Sequence, residues 1–218
     1  RQGKRCPLKT RSDFLNRNSI MLKTLVISAI VGALGMAGIH PSHALNGKSL
    51  SALADYVTTP AAQTKEFAAS ATYSLCFVPD GASCEAMLIG AIRNTRQSLL
   101  IQAYSFTSPS IGEAVVQAHK RGVDVRVIVD QSQVGDKYTS ATFLKNAGIP
   151  VVVDDQPAIA HNKVMIFDQQ AVFTGSFNFT RSAQSRNTEN GIIIRGDASI
   201  VKAYTDNWGI RAKKSRAY

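Results

Sequence analysis

Cysteine is scarce in this chain. Three occur among 218 residues. None forms a Cys-x-x-Cys pair or a cluster with histidine, which argues against a structural zinc. Histidine is scarce too, limited to His40, His43, His119 and His161. There is no internal repeat and no low-complexity tract, so the length points to one domain of ordinary size. Long apolar runs are also missing. The longest, Leu25 to Ile39, is about 15 residues, short of the ~20 needed to span a bilayer. No basic amphipathic helix or apolar loop suggests a lipid surface, so no stable membrane association is expected. No recognition helix or aromatic stripe suggests base-specific reading of nucleic acid.

What is present begins at Met21. Lys23 gives a short positive start, the apolar run follows, and Pro41-Ser42-His43-Ala44 offers small residues where a signal peptidase reads. That layout predicts a secretory signal peptide over 21–44, cleaved after Ala44, with a periplasmic or secreted destination. The alternative is an uncleaved anchor, which the short run disfavours. Residues 1–20 form an upstream segment of unassigned status. Residues 45–70, rich in Ala, Ser and Thr, read as a helical extension broken near Pro60, and 71–218 as the main domain.

The full chain carries a net charge of +10. The leader holds seven basic residues (Arg1, Lys4, Arg5, Lys9, Arg11, Arg17, Lys23) and one acidic, Asp13, leaving 18 basic and 14 acidic and a net +4. A mildly basic protein suits a polyanion handled at one site better than a coat of phosphate contacts. Cys6 lies in the leader, leaving Cys76 and Cys84. In an oxidising compartment these two suggest one disulfide closing the loop "CFVPDGASC". Two free thiols are the alternative.

Downstream the pattern alternates. Strands are predicted at Thr72–Val78, Ser98–Tyr104, Val123–Val129 and Ile149–Val153, and helices at Cys84–Thr95, Pro109–Arg121 and Tyr138–Ala147. Two further strands at 163–167 and 171–174 are joined by "DQQ", a last strand spans 191–195, and Ala198 to Arg211 closes the chain as a helix carrying Trp208. The expected fold is a layered α/β/α sandwich on a mixed, largely parallel sheet. Ligands in such sheets bind beyond the carboxyl ends of strands, which makes "QAYSFT" and "DQSQ" candidate rim segments. The C-terminal "RAKKSR" reads as a solvated basic end.

The stretch "HNKVMIFDQQAVFTGSFNF", 161–179, carries the chemistry. Side chains alternate along a strand. His161 and Lys163 share one face, Val164 and Ile166 the other. On the second strand Thr174, Ser176 and Asn178 share a face, opposite Phe173, Phe177 and Phe179. An imidazole, an ammonium, a hydroxyl and an amide could then meet around one phosphodiester, as nucleophile, cation and neutral donors. Lys163, Ser176 and Asn178 are the expected substrate-binding groups.

The pattern His161-Asn162-Lys163, Asp168, Gly175-Ser176 and Asn178 resembles the HKD signature of the phospholipase D superfamily. "GSFNF", "QAYSFT" and "RGVDVRVIVD" resemble its branch of small secreted bacterial endonucleases with one motif. The likeness runs from about Ser74 to Arg195. It implies a two-step mechanism without metal or other cofactor. One neutral His161 attacks phosphorus, and a second, protonated histidine gives its proton to the leaving oxygen. His119, beside Lys120 and Arg121 at a helix C-terminus, reads as structural. The second histidine is therefore expected from another copy of the chain, in a homodimer with the active site at the twofold. Glu189, in "NTEN", is the candidate carboxylate for orienting His161. Asp168 belongs to the motif, and its place between strands also suits a turn cap. Three functions follow: a nonspecific endonuclease acting on DNA or RNA, a phospholipase D, or a non-catalytic DNA-binding module.

Overall fold

The structure, a computed structural model, describes residues 64–137 and 139–218. The expected leader, and the helical extension up to residue 63, lie outside the described residues. Residues 64–70 are not helical.

The elements, in chain order, are β1 (Thr72–Val78), α1 (Cys84–Asn94), β2 (Ser98–Ala103), α2 (Pro109–Lys120), β3 (Asp124–Asp130), α3 (Ser140–Asn146), β4 (Val151–Asp154), β5 (Lys163–Phe167), β6 (Ala171–Gly175), α4 (Arg181–Ser185), β7 (Glu189–Arg195), α5 (Ala198–Lys214) and β8 (Arg216–Ala217). The helices start where the sequence offers caps. Ser83, Ser108 and Asp197 each accept a hydrogen bond from an amide of the first turn, and Pro109 occupies the first turn of α2, where its missing N–H costs nothing. Cys76 and Cys84 are joined by a disulfide that ties β1 to α1.

The strands form one sheet in the order β1-β7-β6-β5-β2-β3-β4-β8. The layered α/β sandwich is as expected, but the sheet is not largely parallel. Among the described strands only β2–β3 and β3–β4 pair in parallel. The other pairings are antiparallel. Helical crossovers link β2, β3 and β4, and such links permit parallel pairing. β5 and β6 are joined by three residues, Asp168-Gln169-Gln170, the first two with φ of 52° and 54°, and a connection that short enforces an antiparallel hairpin. The basic C-terminus does not end free in solvent: Arg216–Ala217 adds the short strand β8 beside β4.

Alternation along the strands feeds two cores. On one face Met165 and Phe167 pack with Phe173, Phe177 and Phe179 and with Leu88, Ile92, Val115 and Leu144 from α1, α2 and α3. On the other, Val164, Ile166 and Val172 pack with Val201 and Trp208 of α5. Trp208 also donates its indole N–H to the Ile101 carbonyl at 3.1 Å, so this large ring is buried without an orphaned donor. Filling both faces makes the central strands rigid, and their ends can hold side chains in fixed positions.

Candidate active site

β2 and β5 run antiparallel, with Ala103 opposite Lys163. The carboxyl end of β2 therefore meets the start of β5, at the rim where the alternation of strands and helices places a site. Tyr104 N donates to the Asn162 carbonyl at 2.8 Å, extending the ladder past the end of β2. Two residues earlier, Ala160 N donates to Asp130 Oδ2 at 2.7 Å. Asp130 ends β3 and also accepts from Ser132 N. Burial works to raise the Asp130 carboxyl, but the Ser132 hydroxyl and the amides of Ser132, Ala160 and Gln131 outweigh it and hold the group below the usual aspartate value. The residues on both sides of His161 are thus fastened, Asn162 to the main chain just past β2 and Ala160 to the Asp130 carboxylate at the end of β3.

His161 is exposed and Lys163 is 6% exposed. Lys163 Nζ donates to the His161 carbonyl at 3.0 Å and lies 4.9 Å from the centroid of the Tyr104 ring. The same ring stands 4.5 Å from the imidazole, tilted 55°. Burial pushes the Lys163 ammonium below the ordinary lysine value, and the negative charge of Glu189 partly offsets this.

Glu189 reaches this group from β7. Its Oε2 accepts from Ser176 Oγ at 2.5 Å and its Oε1 from Asn187 Nδ2 at 2.9 Å. Ser176 in turn accepts from Asn190 N at 3.0 Å. The close approach depends on Gly175, where φ is 152° and any Cβ would lie 2.4 Å from the Asn190 carbonyl oxygen. Asn178 follows on the same rim, because Phe179 N donates to Ser105 O beside Tyr104. Its Oδ1 is buried with no hydrogen-bond partner among the described residues. An orphaned buried amide oxygen is costly.

Two expected roles are corrected by this geometry. Asp168 is not at the site. Its N–H donates to Ser98 O, at the opposite end of β2 from Ala103, and five residues of strand put it roughly 17 Å from Lys163. Nor does its carboxylate cap its own turn. It accepts from the amides of Arg96, Gln97 and Ser98 at 2.7–3.1 Å, fixing the entry to β2. Glu189 is at the site, but its hydrogen bonds go to Ser176 and Asn187. Among the described residues the His161 ring makes no hydrogen bond, and its neighbour is Tyr104. That ring was not singled out in the sequence, although the rim segment "QAYSFT" containing it was. His119 lies in the last turn of α2, which leads into the far end of β3, so it cannot serve as the second histidine.

Comparison with known proteins gives a consistent picture. Residues 88–208 match the family model described as "Cardiolipin synthase, PLD-like domain". The chain is 38% identical over 187 residues to "Phospholipase D" of Rickettsia conorii, covering 84% of this chain and 90% of that protein. It is 37% identical over 133 residues to human "Mitochondrial cardiolipin hydrolase", covering 61% of this chain and 52% of that one. Among solved structures it superposes on a phospholipase D family member, Nuc, from Salmonella typhimurium. The TM-score is 0.66 at 33% identity, covering 68% of this chain and 99% of Nuc.

Proposed function

The chain belongs to the phospholipase D superfamily of phosphodiester hydrolases, and from that membership we propose that it is a metal-independent endonuclease of low base specificity. Its substrate in this reading is DNA or RNA. The observation that carries the proposal is the openness of the rim. His161, Asn162, Ser176, Asn187 and Asn190 are all exposed and polar, and such an edge admits a phosphodiester inside a long polymer.

The chemistry follows from the residues. A neutral imidazole of His161 attacks phosphorus and forms a P–N bond while the P–O bond to the leaving group breaks. A second His161, protonated, gives its proton to that oxygen. It then takes a proton from the water that breaks the P–N bond, which restores both histidines. Lys163 faces the nonbridging oxygens with its ammonium and Asn178 supplies a neutral donor, while the Ser176 hydroxyl, which donates to Glu189 here, has to turn to reach the phosphate. The described residues hold His119 and His161, and His119 is remote, so the second imidazole is assigned to another copy of the chain across a twofold. The Cys76–Cys84 disulfide supports export to an oxidising compartment, periplasmic or extracellular.

A second reading, phospholipase D activity, is favoured by one surface feature. Tyr73, Leu75 and Phe77, exposed by 69, 44 and 54%, share the outer face of β1, and β1 reaches the site where Val78 pairs with Glu189. An apolar stripe leading to a catalytic rim also suits a lipid surface. Plasmid DNA and phosphatidylcholine vesicles offered to one preparation decide between the two. Nicking of DNA without release of headgroup supports the nuclease, and the reverse result supports the lipase. Sedimentation of an active monomer would remove the dimer.

A further inference from the structure

We infer that Tyr104 is a positioning residue, an aromatic platform that sets the nucleophile His161 and the cation Lys163 in register with each other. This rests on His161 and Lys163 being the reacting pair.

Three contacts converge on Tyr104. Its main-chain N–H holds the carbonyl of Asn162, the residue between His161 and Lys163, at 2.8 Å. Its ring stands 4.5 Å from the imidazole. The face of the same ring lies 4.9 Å from Lys163 Nζ. Lys163 closes the loop by donating to the His161 carbonyl at 3.0 Å. The negative face of an aromatic ring attracts a cation, and more strongly where water is excluded. Lys163 is almost fully buried and burial disfavours its charge. Glu189 counters that tendency through its charge, and the Tyr104 face adds cation–π attraction. The imidazole, exposed and without a hydrogen bond among the described residues, has its rotation restricted by the ring beside it. One side chain thus orders the attacking group and keeps charge on the group that receives the phosphate. Among the described residues the Tyr104 hydroxyl makes no hydrogen bond, so the ring carries this role and the phenol oxygen does not.

The test compares Tyr104→Leu, Tyr104→Phe and wild type, with bis(p-nitrophenyl) phosphate as a probe neutral between nuclease and lipase. Misplacing a reacting group by about 1 Å costs roughly 10²-fold in rate. Tyr104→Leu should therefore lower kcat by roughly 10–100-fold and change KM by less than about threefold, and Tyr104→Phe should restore both. In parallel, the His161 ring protons should show a ring-current shift in wild type and Tyr104→Phe that is absent in Tyr104→Leu. Equal kcat in Tyr104→Leu and wild type overturns the proposal. So does a Tyr104→Phe variant as impaired as Tyr104→Leu, which would place the role on the hydroxyl. If Tyr104→Leu does not fold, Tyr104→Met carries the same comparison. If wild type leaves the probe intact, the hydrolase reading is what fails, and the ring-current shift still judges the platform.

Discussion

Lys163 donates from Nζ to the main-chain carbonyl of His161, 3.0 Å away. The Lys163 ammonium is thereby tied to the backbone of His161. The two residues lie at the start of β5, with one residue between them. Neighbouring groups then tune the pair: Tyr104 against both side chains, and Glu189 through its charge on Lys163.

Removing that charge should move the titration of Lys163. Burial lowers its pKa and Glu189 raises it, so Glu189→Gln lowers it further. Followed by NMR, the Lys163 ammonium of wild type should lose its proton below the ordinary lysine value, and that of Glu189→Gln lower still. An unmoved Lys163 titration in the variant would contradict the coupling.

Asp168 should behave as a structural residue. Its carboxylate gathers the amides of Arg96, Gln97 and Ser98, and those amides hold its pKa down against burial. Asp168→Ala should cost about 2 kcal/mol of stability. At a temperature where the variant is folded, kcat should remain within about threefold of wild type. Chemical denaturation and steady-state kinetics on the same samples check this, and a variant that is stable but inactive contradicts it.

Much of this was legible in the sequence. The 3.6-residue and 2-residue periods placed the helices and strands, because each element buries one face. The spacing of His161, Lys163, Ser176 and Asn178 brings them to one rim, since β5 and β6 are neighbours joined by a short turn. What was not legible depends on contacts between distant segments. The main-chain partners of Asp168 are about 70 residues away. Tyr104 meets His161 only because β2 and β5 pair antiparallel, and the alternation of strands and helices suggested a more parallel sheet than the hairpin β5–β6 allows. The stripe on β1 reads as an ordinary half-buried strand until its outer face proves uncovered.

Acid should loosen the start of α5. The amide of Ala68, the hydroxyl of Ser199 and the amide of Ile200 hold the Asp197 carboxyl down to about 2. A carboxyl depressed in the folded state stabilises the fold above its unfolded value, near 4. That contribution fades as pH falls through about 2. The melting temperature of wild type should therefore fall more steeply between pH 4 and 2 than that of Asp197→Asn, which lacks the ionisable group. Parallel melting curves over that range would contradict the assignment.

The central claim is metal-free hydrolysis through His161. Its most direct test is plasmid DNA incubated with the purified protein in excess EDTA, beside His161→Ala. The account predicts that wild type cuts the plasmid in EDTA and that the variant is slower by more than roughly 10³-fold. Cleavage abolished by EDTA and restored by Mg²⁺, or undiminished in His161→Ala, would contradict it.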